Sequence, residues 1–251
     1  MIVEIEHNNV NYITNLNNPI DISIPISSNG AVAWGMPPVT ILPVKEGDWI
    51  GDVAQGSSVN FNNILFNPHA HTTHTECVGH ISPNKESINK ELSTFFFIAE
   101  VITVFPKKKG QDCVITKKML ENKISKDHEI DALIIRTLPN TQDKLSINYS
   151  KKNPPYLLSS ATEYIAELNI KHLLIDLPSV DKEKDEGKLK SHKSFWGFPD
   201  NIRHGSTITE LIYVHNDICD GCYLLNLQFV PFENDASPSR PVLFKLQQKN
   251  K

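Results

Sequence analysis

The chain has 251 residues, 39% of them hydrophobic and 22% charged, with a formal net charge of -4 and a pI near 6.2. That is enough apolar material for a sizeable core and fits one domain spanning 1–251, while the acidic balance excludes a basic field of the kind that binds nucleic acid or an anionic bilayer. The most apolar run, Phe95 to Phe105, is about half the roughly 20 residues of a bilayer span and contains Glu100, so no membrane association is expected.

At the N-terminus, Glu4 and Glu6 stand where a secretory leader would carry basic residues, which points to a cytoplasmic, reducing location. The Asn-rich stretch from Asn8 to Asn18 reads as a surface turn ahead of the first strand. Short apolar runs punctuated by Pro, Gly and Asn follow at Ile22 to Ile26, Val39 to Val44 and Val59 to Phe66, a pattern of strands joined by turns. Phe96 to Val104 and Ala132 to Thr137 are β-branched and apolar without polar alternation, as in strands buried on both faces. Thr116 to Asn122 has helical character. A Ser cap opens a helix at Ser159 to Leu168, and His172 to Leu177 returns to buried strand.

Asp181 to Lys193 is a run of mixed charge, read as a solvated loop or helix face; it ends beside His192. The tail resumes β character at Thr207 to Val214 and Tyr223 to Phe232. Cys219-Asp-Gly-Cys222 has the spacing of a zinc half-site, but no second pair accompanies it, so it reads as a turn with two incidental thiols. The fold class expected from these elements is α/β, with a mixed sheet and flanking helices.

Chemistry concentrates in Asn67 to His80, which reads NPHAHTTHTECVGH and holds four of the ten histidines of the chain together with Glu76. Neutral imidazoles and a carboxylate are the ligands that Zn, Mn or Fe prefer. On an extended strand, alternate side chains share a face, so His74 and Glu76, and after them His80, can point into one cavity. A histidine-rich surface loop is the plainer alternative, but a Glu and several Thr among the histidines, between predicted strands, are an unusual filling for a loop.

The segment Thr73-His74-x-Glu76-x-x-x-His80 resembles the signature H-x-G-T-H-x-D-x-P-x-H of the cyclase family of metal-dependent hydrolases, to which kynurenine formamidases and isatin hydrolases belong. Asp21-Ile-Ser23, the strand Ala132 to Thr137 ending in Arg-Thr, Leu174 to Asp181, and Gly221 to Phe229 followed by Ser237 to Leu243 are similar to further family segments, in order, over roughly residues 18 to 245. The resemblance implies a single-domain swivelling β/β/α fold. It further implies a site of one or two divalent ions, Zn or Mn, at His69 or His71, His74, Glu76, His192 and Glu210, with His80 moving protons. It also implies a small-molecule amide or lactam substrate and a homodimer or higher homo-oligomer.

The chain departs from the family in four places. Glu76 replaces Asp; Ala70 occupies the position of the first His, with His69 and His71 on either side as competing candidates; Val78-Gly79 replaces the Pro; and Phe195 to His204 reads as an insertion near the pocket mouth. Asp181 reads as a capping or network residue rather than a ligand, with orienting a ligand as a further role open to it. Trp34, Trp49, Phe66 and Trp196 are expected to pack in the core, with a wall for a planar substrate as the alternative. His204 and His215 read as surface histidines.

Overall fold

The computed structural model describes residues 1–125 and 129–249. In chain order, strands β1 (Ile2–His7), β2 (Val10–Asn15) and β3 (Ile20–Asp21) are followed by β4 (Thr40–Pro43), β5 (Lys45–Glu46), β6 (Trp49–Ile50) and β7 (Asn62–Leu65). Helix α1 (Pro68–His71), strand β8 (His74–Glu76), helix α2 (Ile88–Glu91) and strands β9 (Phe96–Val104), β10 (Lys107–Lys109) and β11 (Asp112–Ile115) come next. Then come α3 (Lys117–Glu121), β12 (Ala132–Thr137), β13 (Tyr156–Leu157), α4 (Ser159–Glu167), β14 (His172–Ile175), α5 (Lys190–Trp196), β15 (Thr207–Glu210), β16 (Gly221–Phe229) and β17 (Ala236–Gln248).

Seven strands close on themselves in the order β17-β16-β9-β12-β14-β15-β8 and back to β17. The stretch β9-β12-β14-β15 is parallel and the rest antiparallel. The expected α/β class and mixed sheet are therefore present. Parallel pairing requires a crossover, and α4 supplies it between β12 and β14; its Ala161, Thr162 and Ile165 fall on one buried face.

Period-two alternation divides the sheet residues between two cores. Leu133, Ile135, Leu173, Ile175, Ile102 and Ile208 face outward beneath the helices, with Phe195 and Trp196 of α5 among them. Ala132, Ile134, Leu174, Val101, Leu225 and Leu243 fill the inside of the ring. This two-sided burial explains why β12 reads as an uninterrupted apolar run. At its end, Arg136 pins the loop before β16, donating to the carbonyls of His215 (2.6 Å) and Ile218 (2.8 Å).

Two predicted elements differ. Asn8 to Asn18 is not a single turn: Asn8 and Asn9, both with positive φ, form the two-residue hairpin loop, β2 then pairs with β1, and a second turn follows at Leu16 and Asn17. Alternation is the missed cue, since Tyr12 and Thr14 point inward and are buried. Ile22 to Ile26 is extended, but its ladder stops at Asp21; Ile22 and Ile24 are buried by packing instead. Ser159 is the first residue of α4, one position after the cap at Leu158. None of the helices among the described residues is long and apolar enough to cross a membrane.

Candidate metal centre

The cluster lies on the helix-covered side of the ring. In the antiparallel pairing of β8 with β15, Glu210 stands opposite His74 and Ile208 opposite Glu76, and directly opposed residues share a face. His74, Glu76 and Glu210 therefore project together toward α5. Helix α5 brings His192, buried with them.

Helix α1 separates the two candidate first histidines. Asn67 caps it by accepting the backbone N–H of His69 at 2.9 Å, with Pro68 in the first turn. Residues two apart on a helix point about 200° apart, so His69 and His71 diverge. His69 turns to the cluster, its Nδ1 lying 3.1 Å from Glu76 Oε2. His71 turns away: its Nδ1 accepts the N–H of Asn67 (2.8 Å) and its Nε2 donates to the carbonyl of Pro37 (2.9 Å). Both of its ring nitrogens are thus occupied, and the structure does not bring His71 into the cluster.

Glu76 sits at the centre, fully buried. Its Oε1 lies 3.1 Å from His192 Nε2, and its Oε2 lies 3.9 Å from both His74 Nε2 and His80 Nδ1. Glu210 approaches His74 Nε2 at 3.5 Å and His192 Nε2 at 3.8 Å, while its Oε1 accepts the N–H of Val180 at 2.8 Å. The remaining nitrogen of His74, Nδ1, is held by the carbonyl of Thr72 at 3.0 Å. Thr73 ties the strand down by donating to the carbonyl of Leu211 and accepting the N–H of Ile24.

Asp181 behaves as expected. It accepts the N–H groups of Ser191 (2.8 Å) and His192 (3.0 Å) at the start of α5 and holds His192 Nδ1 at 2.7 Å. The charged run therefore has a solvated middle and two buried ends, at Asp181 and His192. Beneath His192 the buried ring of Trp196 lies 5.5 Å away, its indole donating to the carbonyl of Ser206. Phe195 to His204 packs down on the core rather than shaping a mouth: Phe195 and Trp196 are buried, and Arg203 donates to the carbonyls of Phe195 and Ile170. Trp34 is at the site edge, donating to the carbonyl of His69. Trp49 packs against Phe61 on the exposed 40–65 segment, and Phe66 is half-buried. His204 and His215 are exposed, as expected.

One residue of the cluster escaped the sequence reading. Asp235, just before β17, places Oδ2 3.0 Å from both His69 Nε2 and His80 Nδ1. A lone Asp in a polar turn carries no local signal; only the pairing of Ala236 with Glu76 brings it here.

The electrostatics favour a cation. Burial alone would lower the pKa of His69, but Asp235 and Glu76 push it up to about 10. Burial is likewise outweighed at His192, where Asp181 and Glu76 raise it to about 10. Glu76 is held well below the usual carboxylate range despite burial, by His80, His192 and His69. Among the buried polar atoms of the cluster, His74 Nε2 has no hydrogen-bond partner, and Glu76 Oε2 makes no hydrogen bond of full geometry, only the ion-pair contact with His69 Nδ1 at 3.1 Å. Buried polar groups are rarely left so, and both point into the cluster. Three sets of donor atoms lie within 4.8 Å of one another: His69, His74 and Glu76; His69, His80 and Asp235; and Glu76, His80 and His192. Converging imidazole and carboxylate donors of this kind fit a divalent transition metal.

Comparison with known proteins agrees with this. The profile of a family described as "Putative cyclase" matches residues 20–182. A kynurenine formamidase of Bacillus cereus is 26% identical over 226 residues, covering 89% of this chain and 96% of its own. A solved potential metal-dependent hydrolase with cyclase activity superposes with a TM-score of 0.66 at 16% identity, covering 90% of this chain and 97% of its own. An isatin hydrolase bound to the product analogue thioisatinate gives 0.62 at 15% identity, covering 91% and 92%. These structures share the fold.

Proposed function

Since the chain belongs to the cyclase family, we propose that it is a metal-dependent hydrolase of non-peptide amide bonds, acting in the cytoplasm as a single catalytic domain on an N-formyl amide or a related small amide or lactam. The observation that carries this reading is the convergence of His69, His74, Glu76, His192 and Glu210 on a buried space where His74 Nε2 lacks a hydrogen-bond partner. Those five residues hold the metal, Zn or Mn, as one or two ions. When bound, a divalent ion supplies a Lewis acid that brings the pKa of water to about 7 and polarises the scissile carbonyl.

His80 supplies the proton traffic. It stands at the rim of the cluster, half-buried, with its ring 4.4 Å from that of His69 and 5.4 Å from that of His192. With Nδ1 held by Asp235, Nε2 is the nitrogen left to take a proton from attacking water and return it to the departing nitrogen. The water oxygen bonds to the carbonyl carbon, the C–N bond breaks as His80 returns the proton to the nitrogen, and a carboxylic acid and an amine leave, which become carboxylate and ammonium at neutral pH. For a formamide these are formic acid and the amine; for a lactam, the ring opens to an amino acid. The longer side chain of Glu76 reaches both His69 and His192 from one strand position, which supports a central carboxylate here as in relatives with Asp.

A homodimer or higher homo-oligomer is part of this reading. Strands β4 and β7 pair with each other, yet Leu42, Phe61, Ile64 and Leu65 are each more than half exposed. An isolated two-stranded hairpin is marginal in water and an exposed apolar patch of this kind marks an interaction surface. The test is turnover of a panel of formamides, lactams and lactones by metal-loaded, metal-stripped and His80→Ala protein. Metal-dependent turnover of an amide, lost in His80→Ala, is expected; tight metal binding with no turnover of any substrate would make this a binding protein.

A further inference from the structure

Outside the five residues assigned to the metal, a further acid reaches the cluster from near the other end of the chain. Asp235 is fixed by its backbone: its carbonyl accepts the N–H of Cys77 at 3.0 Å, the carbonyl of neighbouring Asn234 accepts the N–H of Ile88 at 2.8 Å, and Ala236 pairs with Glu76. From that anchored position a single oxygen, Oδ2, reaches His69 Nε2 and His80 Nδ1, each at 3.0 Å. The two rings lie 4.4 Å apart and 31° from parallel.

We propose that Asp235 is a positioning residue which sets the ring orientation and tautomer of His69 and His80 together, so that His69 Nδ1 is presented to the metal and His80 Nε2 to the substrate. The inference rests on the function proposed above. The chemistry is that of a carboxylate behind an imidazole. By accepting the N–H of one ring nitrogen it leaves the other deprotonated and aimed, and raises its basicity. Asp181 stands in the same relation to His192, 2.7 Å from Nδ1 while Nε2 faces Glu76. What distinguishes Asp235 is that one oxygen serves two rings of different duty. Metal affinity and proton transfer are therefore tied to the same atom, and removing it impairs both. The two acids also enter from different elements, Asp181 ahead of α5 and Asp235 ahead of β17, so each flank of Glu76 has its own support.

The experiment compares wild type, Asp235→Ala and Asp235→Asn, and places Asp235→Ala in a His80→Ala background. Affinity for Zn²⁺ and Mn²⁺ is read by chelator competition and folding by thermal unfolding, with steady-state kinetics on the best substrate of the panel. In folded Asp235→Ala, metal affinity falls by about 10- to 100-fold, and kcat falls while KM stays within a few fold. Asp235→Asn, which keeps an acceptor oxygen, recovers part of both. In the His80→Ala background, removing Asp235 still weakens metal binding, through His69, but adds little further loss of kcat, since the ring it would orient is gone. Unchanged affinity and kcat in folded Asp235→Ala overturn the proposal, as does loss of a whole equivalent of bound metal, which would make Asp235 a ligand. If wild type binds neither ion, the functional reading itself falls; if only the Asp235 variants behave like wild type, that reading stands and this one does not.

Discussion

Metal affinity should depend steeply on pH, with two protons expelled per ion bound. In the metal-free protein His69 and His192 are held near pKa 10, above the ordinary 6.5, so both rings stay charged at neutral pH and lose their charge only as pH approaches 10. A divalent ion takes only neutral imidazole, so each ring must lose a proton on binding. At pH 8 each lies about two units below its pKa, and at about 1.36 kcal/mol per unit the two displacements together oppose binding by about 5 kcal/mol, falling to about half of that at pH 9. The depressed pKa of Glu76 is the same attraction seen from the other side and is counted once.

The apparent association constant should therefore climb by up to about two decades per pH unit between pH 7 and 9 and level off near 10. Chelator-buffered competition across that range gives the slope, and calorimetry in buffers of different ionisation enthalpy counts the protons. The same shift governs the metal-free fold. A raised histidine pKa stabilises fully below pH 6.5, and that contribution is lost as pH rises toward 10. The metal-free Tm should decline across this window. Affinity flat with pH and no proton release would refute the reasoning.

His69→Ala should abolish tight metal binding, whereas His71→Ala should leave it intact and lower stability by about 1–3 kcal/mol through two lost buried hydrogen bonds; metal titration and denaturant unfolding separate the two. A Cβ added at Gly79 would lie 2.0 Å from the carbonyl oxygen of Glu86, so Gly79→Ala must displace the turn carrying His80. We expect a loss of about 1–3 kcal/mol in unfolding experiments and a lower kcat. Leu42→Glu combined with Ile64→Glu should convert the proposed oligomer to monomers in sedimentation velocity with little change in Tm, because both side chains are exposed within one chain.

The inner strands and the metal strand were the most legible parts of the sequence. Phe96 to Val104 and Ala132 to Thr137 announce themselves because burial on both faces removes polar alternation, and β8 because His74 and Glu76 are two apart. Helix α4 was legible from its apolar spacing. What stayed hidden depended on distant partners. His69 and His71 are chemically identical in sequence and are separated only by the turn of α1 around Asn67. Asp235 acquires meaning from a strand pairing 159 positions from Glu76, and β2 was masked by the Asn residues within it and at the turns on either side. The apolar residues of β4 and β7 have the composition of a core, and nothing local says they will stand in solvent.

Strand β8 is only three residues long, yet it is paired on both sides, with β15 and with β17. It is the stave that closes the ring, and its second neighbour, β17, comes latest in sequence among the described strands. During synthesis the proposed metal centre would not be completed until residues 236–238 have emerged and folded back across more than half the chain. A growing chain would thus carry its cluster of imidazoles and acids unassembled until then, and uptake of an ion there would be a late event that reports a closed ring.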